Sequence, residues 1–283
     1  MKRKLFIPIA LVVLIILSML SPSLIKDIQK LFVVNEYHAE EILETLITSL
    51  KVNDYVKFGK YNNQPILWKI IDTDNGNILL MSEYILCFKA FDANGESDAF
   101  HKTDSELYGS SSWENSSLKQ WLNSDEINVT YSHCAPDKNS TFKSQNPYSE
   151  ESGFLSDKNF SSFERNLISD EGVFLLSKKQ LKKYFTNTSR RKTATPEAVL
   201  CNNSPYLMST SKAVWFWTSS PVSSNDVSVT AVTSSGTFYK SLAYDGAMGV
   251  CPALYLKTSE LCVNNATGTK EDPYVICNYE VNK

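Results

Sequence analysis

The residues of this chain that could perform catalytic or metal chemistry are few and scattered. None of its three histidines, His38, His101 and His133, lies at zinc-ligand spacing from another. His133 is followed directly by Cys134, and the two residues are of the types that form a thiol–imidazole catalyst. Neighbouring side chains in a loop rarely form a working pair. The sequence therefore indicates no catalytic residues, no metal and no cofactor.

Two charge clusters are candidates for ion binding. Asp92-Ala93-Asn94-Gly95-Glu96 superficially resembles the start of a calcium loop. It lacks the alternating ligands and terminal glutamate of the twelve-residue calcium-binding pattern, so a solvated acidic loop is expected. The basic run Ser189-Arg190-Arg191-Lys192 is likewise expected to be a solvated face, with anionic-ligand binding as the alternative.

The start of the chain is typical of an exported protein. Met1-Lys2-Arg3-Lys4 is a positive segment, and an apolar stretch begins at Leu5 and continues to Leu20. At about 16 residues, the stretch is slightly shorter than the roughly 20 needed to span a bilayer. An uncleaved signal anchor and a cleaved signal peptide, over residues 1–23, both remain open. In either case the globular part is expected outside the cytoplasmic membrane.

The overall charge restricts the possible partners. The 283 residues carry a formal net charge of −3, and the lysines are spread along the chain. A slightly acidic protein without a basic stripe is not expected to bind nucleic acid. The length is sufficient for one sizeable domain with appendages.

Six cysteines in an exported chain are compatible with three disulfides. The best local candidate is the pair Cys262 and Cys277, which would close a loop around the turn at Asp272-Pro273. Cys87 lies in an apolar, strand-like run, so a buried free thiol is an equal alternative there.

Hydrophobic periodicity predicts the elements that must position any site. Residues 24–51 favour a stalk helix or linker, because apolar residues recur there at helical spacing. Residues 55–82 predict a meander of three antiparallel strands. Short helices are predicted around residues 113–123 and 160–168, a strand over 173–177, and a basic amphipathic helix ending at Tyr184-Phe185. Residues 132–162 are polar and predict a long surface insertion.

Two aromatic strands stand out near the end of the chain: Trp215-Phe216-Trp217-Thr218-Ser219-Ser220-Pro221 and Gly249-Val250-Cys251-Pro252-Ala253-Leu254-Tyr255-Leu256. Between them, residues 225–249 alternate apolar and hydroxyl side chains, which favours a hairpin. Aromatic rings next to small hydroxyl residues are expected to form a concave surface suited to carbohydrate or peptide.

Six stretches in order resemble the motifs of a bacterial family of exported domains of unknown function, whose members typically end in WWLRSP and GVRPALWL. They are residues 55–59, 65–70, 113–123, 174–177, 215–221 and 249–256. The resemblance covers residues 52–258, and residues 259–283 are similar to a tail or hairpin that often follows such domains. This chain lacks the arginine expected before Ser-Pro and has Cys251 at the other expected arginine.

That family is similar to the C-type-lectin-like fold shared by formylglycine-generating enzymes and by hypervariable ligand-binding receptors. The resemblance implies an α+β fold: a C-type-lectin-like, twisted antiparallel sheet with a few short helices and long loops. The apolar N-terminal segment predicts a membrane helix before it. In related folds the region of the predicted hairpin lines the binding surface. The implied ligand contacts are Trp217, Tyr239, Tyr244 and Asp245.

These observations favour a non-catalytic extracytoplasmic module that binds a surface glycan or a protein and contacts the membrane through its N-terminal helix. A formylglycine-generating type of oxidoreductase is one alternative, although the copper-binding cysteine pair of those enzymes has no clear counterpart here. A purely structural surface domain is the other alternative.

Overall fold

The structure is a computed structural model that describes residues 50–74, 76–93, 108–131, 151–201, 209–258, 261–264 and 266–277. The predicted signal segment (residues 1–23), nearly all of the predicted stalk (24–51) and the three histidines lie outside these residues. Among the described residues, no helix is both long and apolar enough to cross a membrane. The described residues, from Leu50 onwards, cluster as one compact unit.

The described residues form twelve strands and four short helices. The strands are β1 Tyr55–Tyr61, β2 Gln64–Asp74, β3 Asn77–Ser82, β4 Cys87–Phe88, β5 Ile168–Leu175, β6 Phe216–Val222, β7 Asn225–Val232, β8 Phe238–Leu242, β9 Gly249–Val250, β10 Pro252–Lys257, β11 Cys262–Val263 and β12 Tyr274–Cys277. The helices are α1 Ser117–Leu122, α2 Ser162–Leu167, α3 Lys178–Tyr184 and α4 Pro196–Leu200.

Two mixed sheets make the protein an α+β structure dominated by strands. A seven-stranded sheet has the order β11-β12-β1-β2-β3-β10-β5, and a five-stranded sheet has the order β4-β9-β6-β7-β8. The pairs β1–β12 and β6–β9 are parallel, and the other pairings are antiparallel. β8 therefore forms one edge of the five-stranded sheet.

The predicted meander is confirmed. β1 and β2 pair antiparallel around Asn62 and Asn63, whose φ angles are 50° and 62°. Two consecutive left-handed residues are typical of the tight hairpin turn whose twist matches the flanking strands, and asparagine tolerates this conformation. β3 pairs antiparallel with β2 and then with β10, so the meander forms the middle of the large sheet.

The three short helices predicted between residues 113 and 185 are confirmed, with shorter bounds. α1 is capped by Ser116, whose hydroxyl accepts from the Lys119 backbone N–H. Ser161 and Ser177 cap α2 and α3 in the same way. The side chain three residues later, Glu164 or Gln180, in turn accepts a hydrogen bond from the backbone N–H of the capping serine. α1 buries Leu118, Trp121 and Leu122, as its periodicity predicts.

Three predictions about exposure or extent are wrong. The strand predicted over 173–177 begins earlier, at Ile168. The predicted surface insertion includes Phe154 and Phe160, which lie in the core and meet edge-to-face with ring centroids 5.3 Å apart. Asp92, in the predicted acidic loop, is buried, and its carboxylate accepts backbone N–H bonds from Ser110 and Ser117 that satisfy it there. Residues 94–107 and 132–150 lie outside the described residues.

The C-terminal segment is part of the large sheet. β12 pairs in parallel with β1, and the Tyr55 backbone N–H donates to the Gly268 carbonyl oxygen at 2.8 Å. β11 and β12 form an antiparallel pair in which Cys262 lies directly opposite Cys277.

This register leads to a prediction for the two cysteines. Residues directly opposite on antiparallel strands have Cα atoms about 4.5–5.5 Å apart, within the range of a disulfide. We expect non-reducing peptide mapping of the protein, purified without reducing agent, to recover one cross-linked peptide containing Cys262 and Cys277. Recovery of both cysteines as alkylated free thiols, without prior reduction, would contradict the pairing.

Candidate ligand-binding surface

The residues predicted to contact a ligand lie in two different environments. Trp217, on β6, is only 1% exposed, and its indole N–H donates to the Lys89 carbonyl oxygen at 2.8 Å. Its ring lies edge-on to Phe91, with ring centroids 5.7 Å apart. Trp217 thus packs in the core, as does its neighbour Phe216, and we leave both out of the candidate surface.

Tyr239 is the most exposed of the predicted contacts. It lies on the edge strand β8 with 59% of its surface accessible. Its ring meets the half-buried Trp215 ring edge-to-face, with centroids 5.9 Å apart. This geometry is a favourable aromatic arrangement, so Trp215 supports Tyr239 while leaving much of the tyrosine open.

Tyr244 and Asp245 lie beyond the other end of β8. The Tyr244 ring is 5.7 Å from that of Tyr108, and both are at least partly exposed. The Asp245 carboxylate accepts from the Ser241 hydroxyl and from the Ala247 backbone N–H, which makes it a turn residue in this structure. The structure therefore does not bring Tyr239 and Tyr244 together, because the length of β8 separates them.

Hydroxyl groups lie next to Tyr239 on the β7–β8 turn, residues 233–237. The Thr233 hydroxyl is 2.8 Å from that of Ser235 and 2.8 Å from that of Thr237. Residue-by-residue reasoning missed this triad, although its Thr-Ser-Ser-Gly-Thr composition is a visible turn signal. Ser235 and Thr237 are exposed, whereas Thr233 is only 9% exposed and joins their hydroxyl groups. We define the edge-strand surface as Trp215, Tyr239 and the exposed hydroxyl residues Ser235 and Thr237.

Two arginines hold this turn in place, so the basic run at 189–192 is not the solvated face that its charge predicts. Arg190 is buried and donates to the Gly236 carbonyl oxygen at 2.7 Å, while its guanidinium lies 4.3 Å from the Phe238 ring centroid. Arg191 is exposed and donates to the Ser234 carbonyl oxygen at 3.1 Å. Gly236 has a φ of 83°, and a Cβ there would lie 1.7 Å from the Asn187 carbonyl oxygen.

The family model described as Domain of unknown function (DUF6273) matches residues 75–258, roughly two thirds of the chain. The chain belongs to this family. No curated protein and no solved structure matches it. The match spans β3 to β10 and so includes the whole edge-strand surface, whereas β1, β2, β11 and β12 join the same large sheet from outside it.

The DUF6273 domain also contributes to a cavity of about 260 Å³ beside the β1–β2 turn. Its lining is mixed: Tyr61, Asn62, Gln64, Pro65, Ile66, Leu67, Tyr84, Leu86, Thr195, Pro196 and Glu197. Ligand pockets typically enclose about 300–1,000 Å³, so this cavity is small. The edge-strand surface is therefore the stronger candidate for a large ligand.

Two ion pairs inside the domain join a buried lysine to a half-buried glutamate. Lys89 is 1% exposed, and its ammonium is 2.7 Å from Glu151 and 4.4 Å from the Trp121 ring centroid. Lys192, 5% exposed, lies 3.6 Å from Glu83 and donates to the Ser82 and Glu83 carbonyl oxygens, each at 3.0 Å. Both lysines therefore act as internal anchors between distant segments of the chain.

Three cysteines of the described residues, Cys87, Cys201 and Cys251, are free thiols, so the arrangement with three disulfides is not present. Burial raises the pKa of Cys87 to about 12, and Lys89 offsets this only in part. Burial also raises the pKa of Cys251 to about 12, despite the nearby Lys192 and a hydrogen bond to Ser82. A thiol with such a pKa supplies almost no nucleophilic thiolate at neutral pH.

We expect Cys87 and Cys251 to resist iodoacetamide in the folded protein at neutral pH, because both thiols are buried and protonated. Unfolding in guanidinium chloride should make both react within the normal labelling time. Quantitative mass spectrometry of the two cysteine peptides measures the effect. Rapid labelling of native Cys251 would contradict the prediction and favour the oxidoreductase alternative.

Within the described ranges, no three His, Cys, Asp or Glu side chains are grouped so that they could hold a metal ion. His38, His101, His133 and Cys134, which carry the weak catalytic and metal patterns of the sequence, lie outside those ranges.

Proposed function

We propose that the chain is a non-catalytic binding module that holds a surface glycan along the edge-strand surface. The observation that carries the proposal is the exposed Tyr239 ring, supported by Trp215 and placed beside the exposed hydroxyl groups of Ser235 and Thr237, which the buried Thr233 joins. The apolar face of a sugar ring packs on an aromatic ring, and its hydroxyl groups exchange hydrogen bonds with side chains such as Ser235 and Thr237.

The rigidity of the surface supports this proposal. Arg190 and Arg191 bind the backbone of the β7–β8 turn, and β8 pairs with β7 over its full length, from Phe238 to Leu242. A ligand that meets a surface already held in place loses less free energy to the ordering of side chains and loops. More of the binding free energy of the few contacting residues therefore contributes to the affinity.

We further propose that the domain is C-type-lectin-like and lies outside the cell membrane. The fold proposal rests on the mixed strand-rich architecture with few short helices and on the motif resemblance. The location rests on the basic and apolar N-terminal segment, which would give a single-pass anchor or a secreted protein. The net charge of −3 supports a partner other than nucleic acid.

A protein ligand is the second candidate, because β8 forms an edge of the five-stranded sheet with Tyr239 and Lys240 exposed. An extended peptide can add to such an edge through backbone hydrogen bonds. The oxidoreductase alternative is weakened by the buried, protonated Cys251. A purely structural domain would bind neither glycan nor peptide.

The test is a glycan array probed with the full chain in detergent. Tyr239→Ala is expected to weaken the strongest array hit by about tenfold or more, since exposed aromatic anchors dominate small interfaces. Tyr239→Phe retains the ring and should retain most of the affinity, and urea unfolding should be similar for both variants. Full affinity of Tyr239→Ala would overturn the assigned surface, and binding only to peptide libraries would favour the protein ligand.

A further inference from the structure

A group of exposed cations lies next to the edge-strand surface. α3 carries four lysines in seven residues, and all four are exposed: Lys178, Lys179, Lys182 and Lys183. Lys183 pairs with Asp72 at 3.1 Å. Within the part of the chain that the structure describes, Lys178, Lys179 and Lys182 have no carboxylate partner.

The lysines converge on the strand that carries Tyr239. The Lys178 and Lys182 ammonium groups lie 5.6 and 6.0 Å from the Phe238 ring centroid, and Phe238 directly precedes Tyr239. The exposed Arg191 donates to the Ser234 carbonyl oxygen of the β7–β8 turn, which directly precedes Phe238. Cations, hydroxyls and an open aromatic ring are therefore contiguous around one end of β8.

The edge position makes this combination accessible to a single ligand. Tyr239 and Phe238 point to opposite faces of β8, because successive side chains of a strand alternate. Since β8 has no further strand beside it in the described part of the chain, a polymer that follows the edge can contact Tyr239 on one face and the lysines on the other.

The electrostatics select an anionic ligand. The chain as a whole is slightly acidic, yet α3 places four lysines next to the edge-strand surface, and only Lys183 pairs with a carboxylate in the described part of the chain. Like charges held close together repel one another, and a bound anion relieves that repulsion most strongly at low ionic strength. We infer that the edge-strand surface and α3 together bind an anionic glycan, a carbohydrate polymer that carries carboxylate, sulfate or phosphate groups; the inference rests on the proposed function.

The experiment compares three probes on the full chain in detergent: dextran sulfate, neutral dextran and inorganic polyphosphate. Dextran sulfate should bind most tightly, and its affinity should fall as NaCl is added. The double variant Lys178→Gln/Lys182→Gln should weaken this binding by about three- to tenfold, and Tyr239→Ala should weaken it as well. Tyr239→Ala should leave the weaker binding of polyphosphate unchanged.

The matched control is Lys57→Gln/Lys60→Gln, which removes the same charge from two exposed lysines of β1 in the other sheet. An equal loss of affinity in this control would overturn the inference, because net charge alone would then explain binding. Equal affinity for dextran and dextran sulfate would also overturn it. Tyr239-dependent binding of neutral glycans on the array, without any effect of Lys178 and Lys182, would leave the proposed function standing and this inference wrong.

Discussion

Trp217→Ala is expected to destabilise the protein by about 3–5 kcal/mol, as is typical when a large buried aromatic ring is removed. The ring is 1% exposed and packs against Phe91, so its loss leaves a cavity in the core. The change also leaves the Lys89 carbonyl oxygen without its indole donor, which adds to the cost. Urea unfolding followed by circular dichroism measures the effect.

Tyr239→Ala provides the matched comparison, because it removes an aromatic ring from the surface of the same sheet. Its free energy of unfolding should change by no more than about 0.5 kcal/mol, as for most exposed positions. The two variants therefore separate a core role from a ligand-contact role. Wild-type stability of Trp217→Ala, together with loss of ligand binding, would show that Trp217 contacts the ligand after all.

Glu83→Gln is expected to cost about 3 kcal/mol, because breaking a buried ion pair leaves a buried charge without its counter-ion. Glu83 lies in the loop after β3 and is only 18% exposed. The Glu83 carboxylate pairs with Lys192 at 3.6 Å and with Lys270 at 2.8 Å. The Lys270 pair joins the C-terminal segment to this loop. Losing the carboxylate weakens both contacts at once. The measurement is again urea unfolding at neutral pH.

The control for this variant is Lys270→Gln, which removes the more exposed partner. The Lys270 side chain is 36% exposed, so water can solvate the groups that remain, and the loss should stay below about 1 kcal/mol. If Lys270→Gln destabilised the protein as much as Glu83→Gln, the buried Lys192 would not be the reason for the larger effect.

The same carboxylate predicts a dependence on pH. Burial acts to raise the pKa of Glu83, but the charges of Lys192 and Lys270 hold it below its ordinary value of 4.5. Because the pKa of Glu83 is lower in the folded state than in the unfolded state, the carboxylate stabilises the protein at pH values above 4.5. This contribution is lost as the pH falls through the folded-state pKa. Wild type should therefore lose more stability on acidification than Glu83→Gln. Parallel pH profiles of the two proteins would contradict this prediction.

Local sequence patterns were sufficient for most of the secondary structure. The Asn62-Asn63 turn, the serine caps of the helices and the alternation in β7 depend on neighbouring residues, so the meander, the helices and the hairpin could be predicted without knowledge of the fold. Tyr239 is a candidate contact through the resemblance to lectin-like folds, whose corresponding region lines the binding surface, and local patterns alone do not single it out.

Which side chains are buried depended on contacts between distant segments. The alternating pattern predicts that Trp215, Trp217 and Tyr239 lie on strands, but it does not predict which of the three rings other segments cover. Lys89 and Phe91, more than a hundred residues away in the chain, cover Trp217. The basic run looks solvated in sequence, yet Arg190 and Lys192 find carbonyl oxygens on remote loops.

The order of residues therefore decides which segments form strands, helices and turns, because caps, turn residues and periodicity act over a few positions, whereas the bounds of β5 and of the helices differ from the predicted ones. Only the tertiary structure decides that Tyr239 stays open while Trp217 is covered, and that α3 brings its lysines to β8. The physical reason is that burial and charge neutralisation are properties of contacts between segments far apart in the chain, whereas local patterns report only the propensity of each segment.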